Sequence, residues 1–258
     1  MKMIRAKLAA ILLFGALGPA SAAGKQSAPN IRYSTDKFDV FAPSLPPSFV
    51  GNSAADLYLA LAKSHPPKRG EFETTSEFNE RQIKFDERAF LGNISPLDTV
   101  AISIWPFAEE AYVGALKYDA DASRMALHLQ KAYFPHTCSL ALENKSKQAG
   151  SYTGSNSFGV KAKVVKQEVT HLCLSSGGDV KIEFPLAREK AITLKPNLRI
   201  LLVGRFTPPY TSQTHNYVAP TVTSPREIVH HGHILHMDIT RVWVYDWTTG
   251  EVVYRPEM

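Results

Sequence analysis

The chain has 258 residues, of which 44% are hydrophobic and 21% charged, the balance of an ordinary globular protein with one large or two small domains. Its formal net charge of +5 falls to +2 once a basic N-terminal segment is set aside, leaving 26 Lys and Arg against 24 Asp and Glu. That near balance argues against a nucleic-acid partner, which needs clustered cations.

Residues 1–22 read MKMIRAKLAAILLFGALGPASA, with Lys2, Arg5 and Lys7 ahead of an apolar run at 8–17 and the small residues Ala20, Ser21 and Ala22 at the end. A positive start, a short apolar stretch and a small-residue cleavage site are the three parts of a secretory signal peptide. The apolar run is too short to span a bilayer, which takes ~20 residues. The residue directly after Ala22 is alanine, not the cysteine of the usual bacterial lipid anchor, and no later stretch is apolar for long enough to cross a membrane. The expectation is a periplasmic or secreted protein, cleaved near Ala22, with no transmembrane segment in the mature chain.

Residues 23–52 hold Pro29, Pro43, Pro46 and Pro47 and read as an extended arm or linker, with 38–41 able to add a short strand or dock. A single α+β domain is expected over 53–258, with helices across about 54–91 and a β-rich part across about 99–258. Ser53 is a fit N-cap for a helix over 54–64, which His65-Pro66-Pro67 ends. Thr74 to Glu77 has the spacing of a capping box for a second helix, with Glu77–Arg81 and Glu80–Lys84 as i,i+4 pairs on a solvated face. From about Thr99 the apolar period becomes two. Strands are predicted at 100–104, at 111–118 and 124–133 as a hairpin, at 158–174, 180–184, 198–206, 228–247 and 251–254. Residues 145–157 are predicted as a polar loop, and 207–225, with four prolines, as a long surface loop. Helices followed by strands predict a mainly antiparallel curved sheet or partial barrel.

HHGHILH at 230–236 holds four of the nine histidines. On a regular strand His231 and His233 share the face of Leu235, Met237 and Ile239, while His230 and His236 share the other, so four imidazoles cannot meet on one ion. His231 and His233 supply two candidate ligands for zinc or another divalent metal, with His215 as the candidate third; a plain strand bearing histidines is the favoured reading. Nucleophile-elbow, phosphate-loop, HExxH and dinucleotide-glycine patterns are absent. Trp105, Tyr210, Tyr217, Trp243, Tyr245 and Trp247 form an aromatic set from which Tyr210, Tyr217, Trp243 and Trp247 are candidate binding-surface residues. Cys138 and Cys173, both in strand-like runs, are expected to form one disulfide in an oxidising compartment. Closing that loop would stabilise the fold by about 3–4 kcal/mol on the chain-entropy model.

GEFETTSEFNER, LKPNLRILLVGRFTPPY and VWVYDWTTGEVV together resemble a family of uncharacterised secreted or periplasmic proteins of Gram-negative bacteria, a domain of unknown function, over 53–258. The resemblance implies a periplasmic or outer-membrane-facing protein and assigns no catalytic residue; the histidine cluster lies outside its pattern. The expected function is therefore a non-enzymatic binding protein whose partner is another protein or envelope component. The alternatives are a metal-dependent hydrolase using His215, His231 and His233, and a small-ligand carrier with a pocket inside the sheet.

Overall fold

The computed structural model describes residues 32–104, 116–129, 140–175 and 180–256. The predicted signal peptide, the first part of the arm, Trp105, Cys138 and the far ends of the predicted 111–133 hairpin lie outside the described residues.

Two helices come first. In α1 (Ala54–Lys63) the Ser53 hydroxyl accepts from Asp56 N at 3.2 Å, and Ala54, Leu57, Tyr58 and Leu61 are buried on one face. α2 (Thr75–Asp86) begins with the expected capping box, in which Thr74 and Glu77 satisfy each other's backbone N–H. Because Glu77 is engaged by Thr74, Arg81 pairs instead with Glu73, its Nε 2.7 Å from Oε1. No residue of α2 is fully buried. It is attached by Phe85, which packs on the main core, and by Gln82 and Asp86, which both hydrogen-bond the Tyr210 hydroxyl.

The strands are β1 (Val100–Ile104), β2 (Leu116–Asp119), β3 (Arg124–Leu129), β4 (Leu140–Ser155), β5 (Lys161–Ser175), β6 (Val180–Pro185), β7 (Leu198–Val218), β8 (Arg226–Asp246) and β9 (Val252–Tyr254). The large sheet runs β1-β7-β8-β5-β4, with β9 on β8, and a small sheet runs β2-β3-β6. The architecture is mixed α+β, mainly antiparallel, and the expected partial barrel does not close. The pair β5–β8 is parallel. A short helix α3 (Arg188–Leu194) precedes β7, and Pro185 ends β6, paired with Arg124.

Two predicted loops are strands. Residues 145–155 continue β4, paired along their length with β5. β7 continues through the proline-rich stretch to Val218. The prolines are accommodated by a bulge: Phe206 pairs with Met237 and Thr211 with Leu235, so 207–210 oppose His236 alone. Proline has no N–H for a ladder and is tolerated at such interruptions.

A second interruption governs the faces of β8. Val203 pairs with Arg241 and Gly204 with Ile239, leaving Thr240 as the extra residue. Before it Leu235 and Met237 face the main core; after it Val242 and Val244 do, and Trp243 and Tyr245 turn to the opposite side. One added residue exchanges the faces of a strand, since side chains alternate with period two. A Cβ on Gly204 would lie 2.0 Å from the Asp238 carbonyl oxygen, so the crossing needs glycine.

The main core packs one face of β1, β7 and β8 against Leu57, Tyr58 and Leu61 of α1 and against Met125, Leu127 and Phe184 of the small sheet. The opposite face carries Ala101, Leu201, Val203, Trp243 and Tyr245 and is covered by Phe38, Val40, Leu45 and Phe49. Residues 32–52, expected as an arm outside the domain, are thus one of its layers. Asn52, 2% exposed, fixes them: its Nδ2 donates to Ser34 O and Asp36 O at 2.9 and 3.0 Å, and its Oδ1 accepts from Ala101 N at 2.9 Å. Leu45 N donates to Gly250 O at 3.0 Å, Ser48 N to Trp247 O at 2.7 Å, and the Tyr245 hydroxyl to Phe49 O at 2.6 Å.

Candidate functional site

Past the 207–210 bulge the described residues give the large sheet little cover. The run 211–218 of β7, the run 226–233 of β8, most of β5 and the length of β4 beyond Leu142 are largely exposed or half-buried. At a rise of ~3.3 Å per residue, 211–218 extends the ladder by about 25 Å. All four histidines of 230–236 sit on β8 at or near this region.

The alternation assigned to these histidines holds, and it sends them to four different partners. His231 lies opposite His215 in the β7–β8 register, with ring centroids 5.2 Å apart. His233, on the same face, stacks flat on Tyr58 of α1 at 4.8 Å and 7°. On the other face His236 Nε2 is 2.8 Å from the Ser212 hydroxyl. His230 Nδ1 is 2.9 Å from Nε2 of His171 on β5. The candidate ligands His215, His231 and His233 are therefore brought onto one face, with His233 occupied by an aromatic ring. Among the described residues no group of three His, Cys, Asp or Glu is arranged to hold a metal ion.

The His171–His230 pair has a third member. His171 Nδ1 is 2.6 Å from Asn144 Oδ1 on β4. An amide oxygen only accepts, so Nδ1 carries the proton, and Nε2 then accepts from His230 Nδ1–H. Burial, then the nearby His230, hold His171 below the ordinary imidazole range. Burial acts in the same direction on His233 and His236. Sequence reading did not single out His171 or Asn144; each lies on the face of its own strand that meets His230 only through the parallel β5–β8 register.

The candidate contact aromatics divide by burial. Tyr210 and Trp243 are 2% and 1% exposed, so neither can form a contact surface. Tyr210 is the polar anchor of α2, and Trp243 packs edge-on to Phe38 at 5.2 Å. Tyr217 is 52% exposed at the end of β7. Trp247 is half-buried beneath the guanidinium of Arg199, 5.2 Å from its ring centroid. Arg199, Trp247, Asn52, Ser103 and Glu143 line a cleft of about 220 Å3, and residues 34–52 line another of about 170 Å3. Burial pulls the Arg199 guanidinium down to about 10 and pushes the Tyr245 hydroxyl up to about 12. Both clefts are below the ~300 Å3 at which small-molecule pockets begin.

Cys173 is 3% exposed and packs with Ala141 and Ile234; its Cα partner on β4 is Ala141. Its expected partner, Cys138, lies outside the described residues. No helix among the described residues is long and apolar enough to cross a membrane. The chain matches no protein-family model, no curated protein and no solved structure.

Proposed function

We propose that this chain is an exported, non-enzymatic binding protein of the cell envelope, with the uncovered half of its large sheet as the contact surface. One observation carries the reading: among the described residues β7 and β8 run well past the layers that stabilise them, leaving two faces largely uncovered and the outer edge of β7 beyond Gly204 without a strand partner. A long exposed edge is a template for pairing with another chain, and proteins usually shorten or cover it unless it is used. The signal-peptide pattern and the resemblance to secreted Gram-negative proteins support the compartment. Within that compartment Cys173 is bonded to Cys138, consistent with the burial of Cys173.

A photo-crosslinking residue placed in living cells at His215 or Tyr217, against a control at the exposed Ile192 of α3, tests the surface. A discrete adduct at the two sheet positions and none at 192 is expected; equal labelling at all three, or none at any, would reject it. Recovery of the chain from the cytosol with Met1 retained and both thiols open to alkylation would reject export.

A further inference from the structure

The far end of the sheet is made of two turns that lie together. β4 passes into β5 through residues 156–160 and β7 into β8 through 219–225; Val165 N donates to Pro225 O at 3.0 Å, and Val165 pairs with Arg226. Each turn is hydrogen-bonded within itself and carries an apolar residue at its apex. In the first, Asn156 Oδ1 accepts from Phe158 N at 3.0 Å and Val160 N at 2.9 Å, and Phe158 is 89% exposed. In the second, Thr221 N donates to Ser224 O at 2.9 Å and Thr221 Oγ1 accepts from Ser224 N at 3.0 Å, and Val222 between them is 57% exposed.

Charge is segregated to the same end. The stretches 144–167 and 211–226 contain no Asp or Glu, yet hold Lys145, Lys147, Lys161, Lys163, Lys166 and Arg226. Carboxylates bordering these stretches neutralise three of the cations: Lys145 pairs with Glu143, Lys147 with Glu168 and Lys166 with Glu227. Lys161 and Lys163 follow Phe158 closely in the chain and Arg226 follows Val222, and among the described residues none of the three has a carboxylate as its ladder partner: Lys161 pairs with Ser155, Lys163 with Thr153 and Arg226 with Val165. The near balance of the whole chain conceals this local excess.

From this geometry we infer that the paired turns dock the protein on an anionic phospholipid surface, Phe158 and Val222 entering the interface while Lys161, Lys163 and Arg226 meet the lipid phosphates. Exposed apolar apices with cations on the adjoining strands fit a bilayer interface, which accepts apolar groups and attracts basic ones. The inference rests on the binding reading above and names the surface that the tip meets.

The test uses the purified chain and vesicles of phosphatidylcholine, with or without phosphatidylglycerol. Co-sedimentation with the anionic vesicles only, weakened by added salt, is expected. Lys161→Glu with Lys163→Glu should reduce the partition coefficient by roughly thirtyfold or more, since each cation near an anionic surface is worth about fivefold. Phe158→Ala should reduce it by about tenfold. Phe158→Trp should add a blue-shifted emission on mixing, a signal that a purely electrostatic association does not give. No sedimentation with anionic vesicles, or sedimentation unchanged in both variants, overturns the inference. If in-cell crosslinks at Tyr217 still capture a protein, the binding reading stands and the tip belongs to a protein contact; if the crosslinks fail while vesicles bind, the sheet-surface reading fails alone.

Discussion

β7 and β8 are each 21 residues long, and each behaves as two strands in succession. In the half containing 198–206 and 237–246, most residues are buried between the helix-bearing core and the 32–52 layer, the exceptions being Arg205 and 238–241. In the half containing 211–218 and 226–233 the same ladder continues, with the same backbone hydrogen bonds, and among the described residues little beyond Tyr58 packs on it. Backbone hydrogen bonds give little net stability because water competes for the same groups, whereas burial of apolar area is strongly favourable. The covered half therefore supplies the stability, and the bare half is held out from it as surface.

The sharpest way to break that comparison is substitution at matched positions. Trp243→Ala, in the covered half, should lower unfolding free energy by about 3–5 kcal/mol, whereas Tyr217→Ala, in the bare half, should change it by no more than about 0.5 kcal/mol, both read from urea denaturation midpoints. A large loss at Tyr217 would mean that the far half is part of the cooperative core. Next in size is the junction: Tyr210→Phe removes the hydroxyl that Asp86 and Gln82 share and should cost about 1.5–3 kcal/mol, with α2 becoming the first segment to exchange its amide hydrogens.

A smaller effect is expected from acid. His171, His233 and His236 have imidazoles held below the free value of about 6.5, so between their folded values and 6.5 the unfolded chain binds more protons than the folded one. Stability should thus be complete above about pH 6.5 and fall as the pH drops through that value, in a thermal-melt series. His233→Gln should remove part of the slope; an unchanged slope in that variant would show that the Tyr58 stack does not hold the imidazole neutral. The least effect belongs to the bare half: Lys147→Ala opens an exposed pair with Glu168 and should leave the melting midpoint where it was.

The same contrast explains what could be read from the sequence. Ser53 and the Thr74–Glu77 box were legible because caps are local, and the faces of β8 were legible as far as Ile239 because one side there is buried. Beyond Thr240 the assignment inverts, since a bulge leaves no mark in the alternation. Residues 145–155 and 211–218 read as loops for a physical reason: alternation reports a strand with one wet and one dry face, and these have two wet ones. The Asn144–His171–His230 chain depends on register between strands distant in sequence, which no local pattern encodes. The cations at the tip were hidden by averaging over the whole chain, and the 32–52 layer by its prolines.

Because the seam between the β4–β5 and β7–β8 hairpins is parallel, each hairpin can close on near neighbours, whereas the two can join only by bringing 165–175 alongside 226–236. Until they zip together, each hairpin offers a bare inner margin to any other chain nearby. Pairing across that seam joins residues far more distant in sequence than the hairpin pairs on either side of it, so the parallel edge is the part of this sheet that depends most on long-range contact.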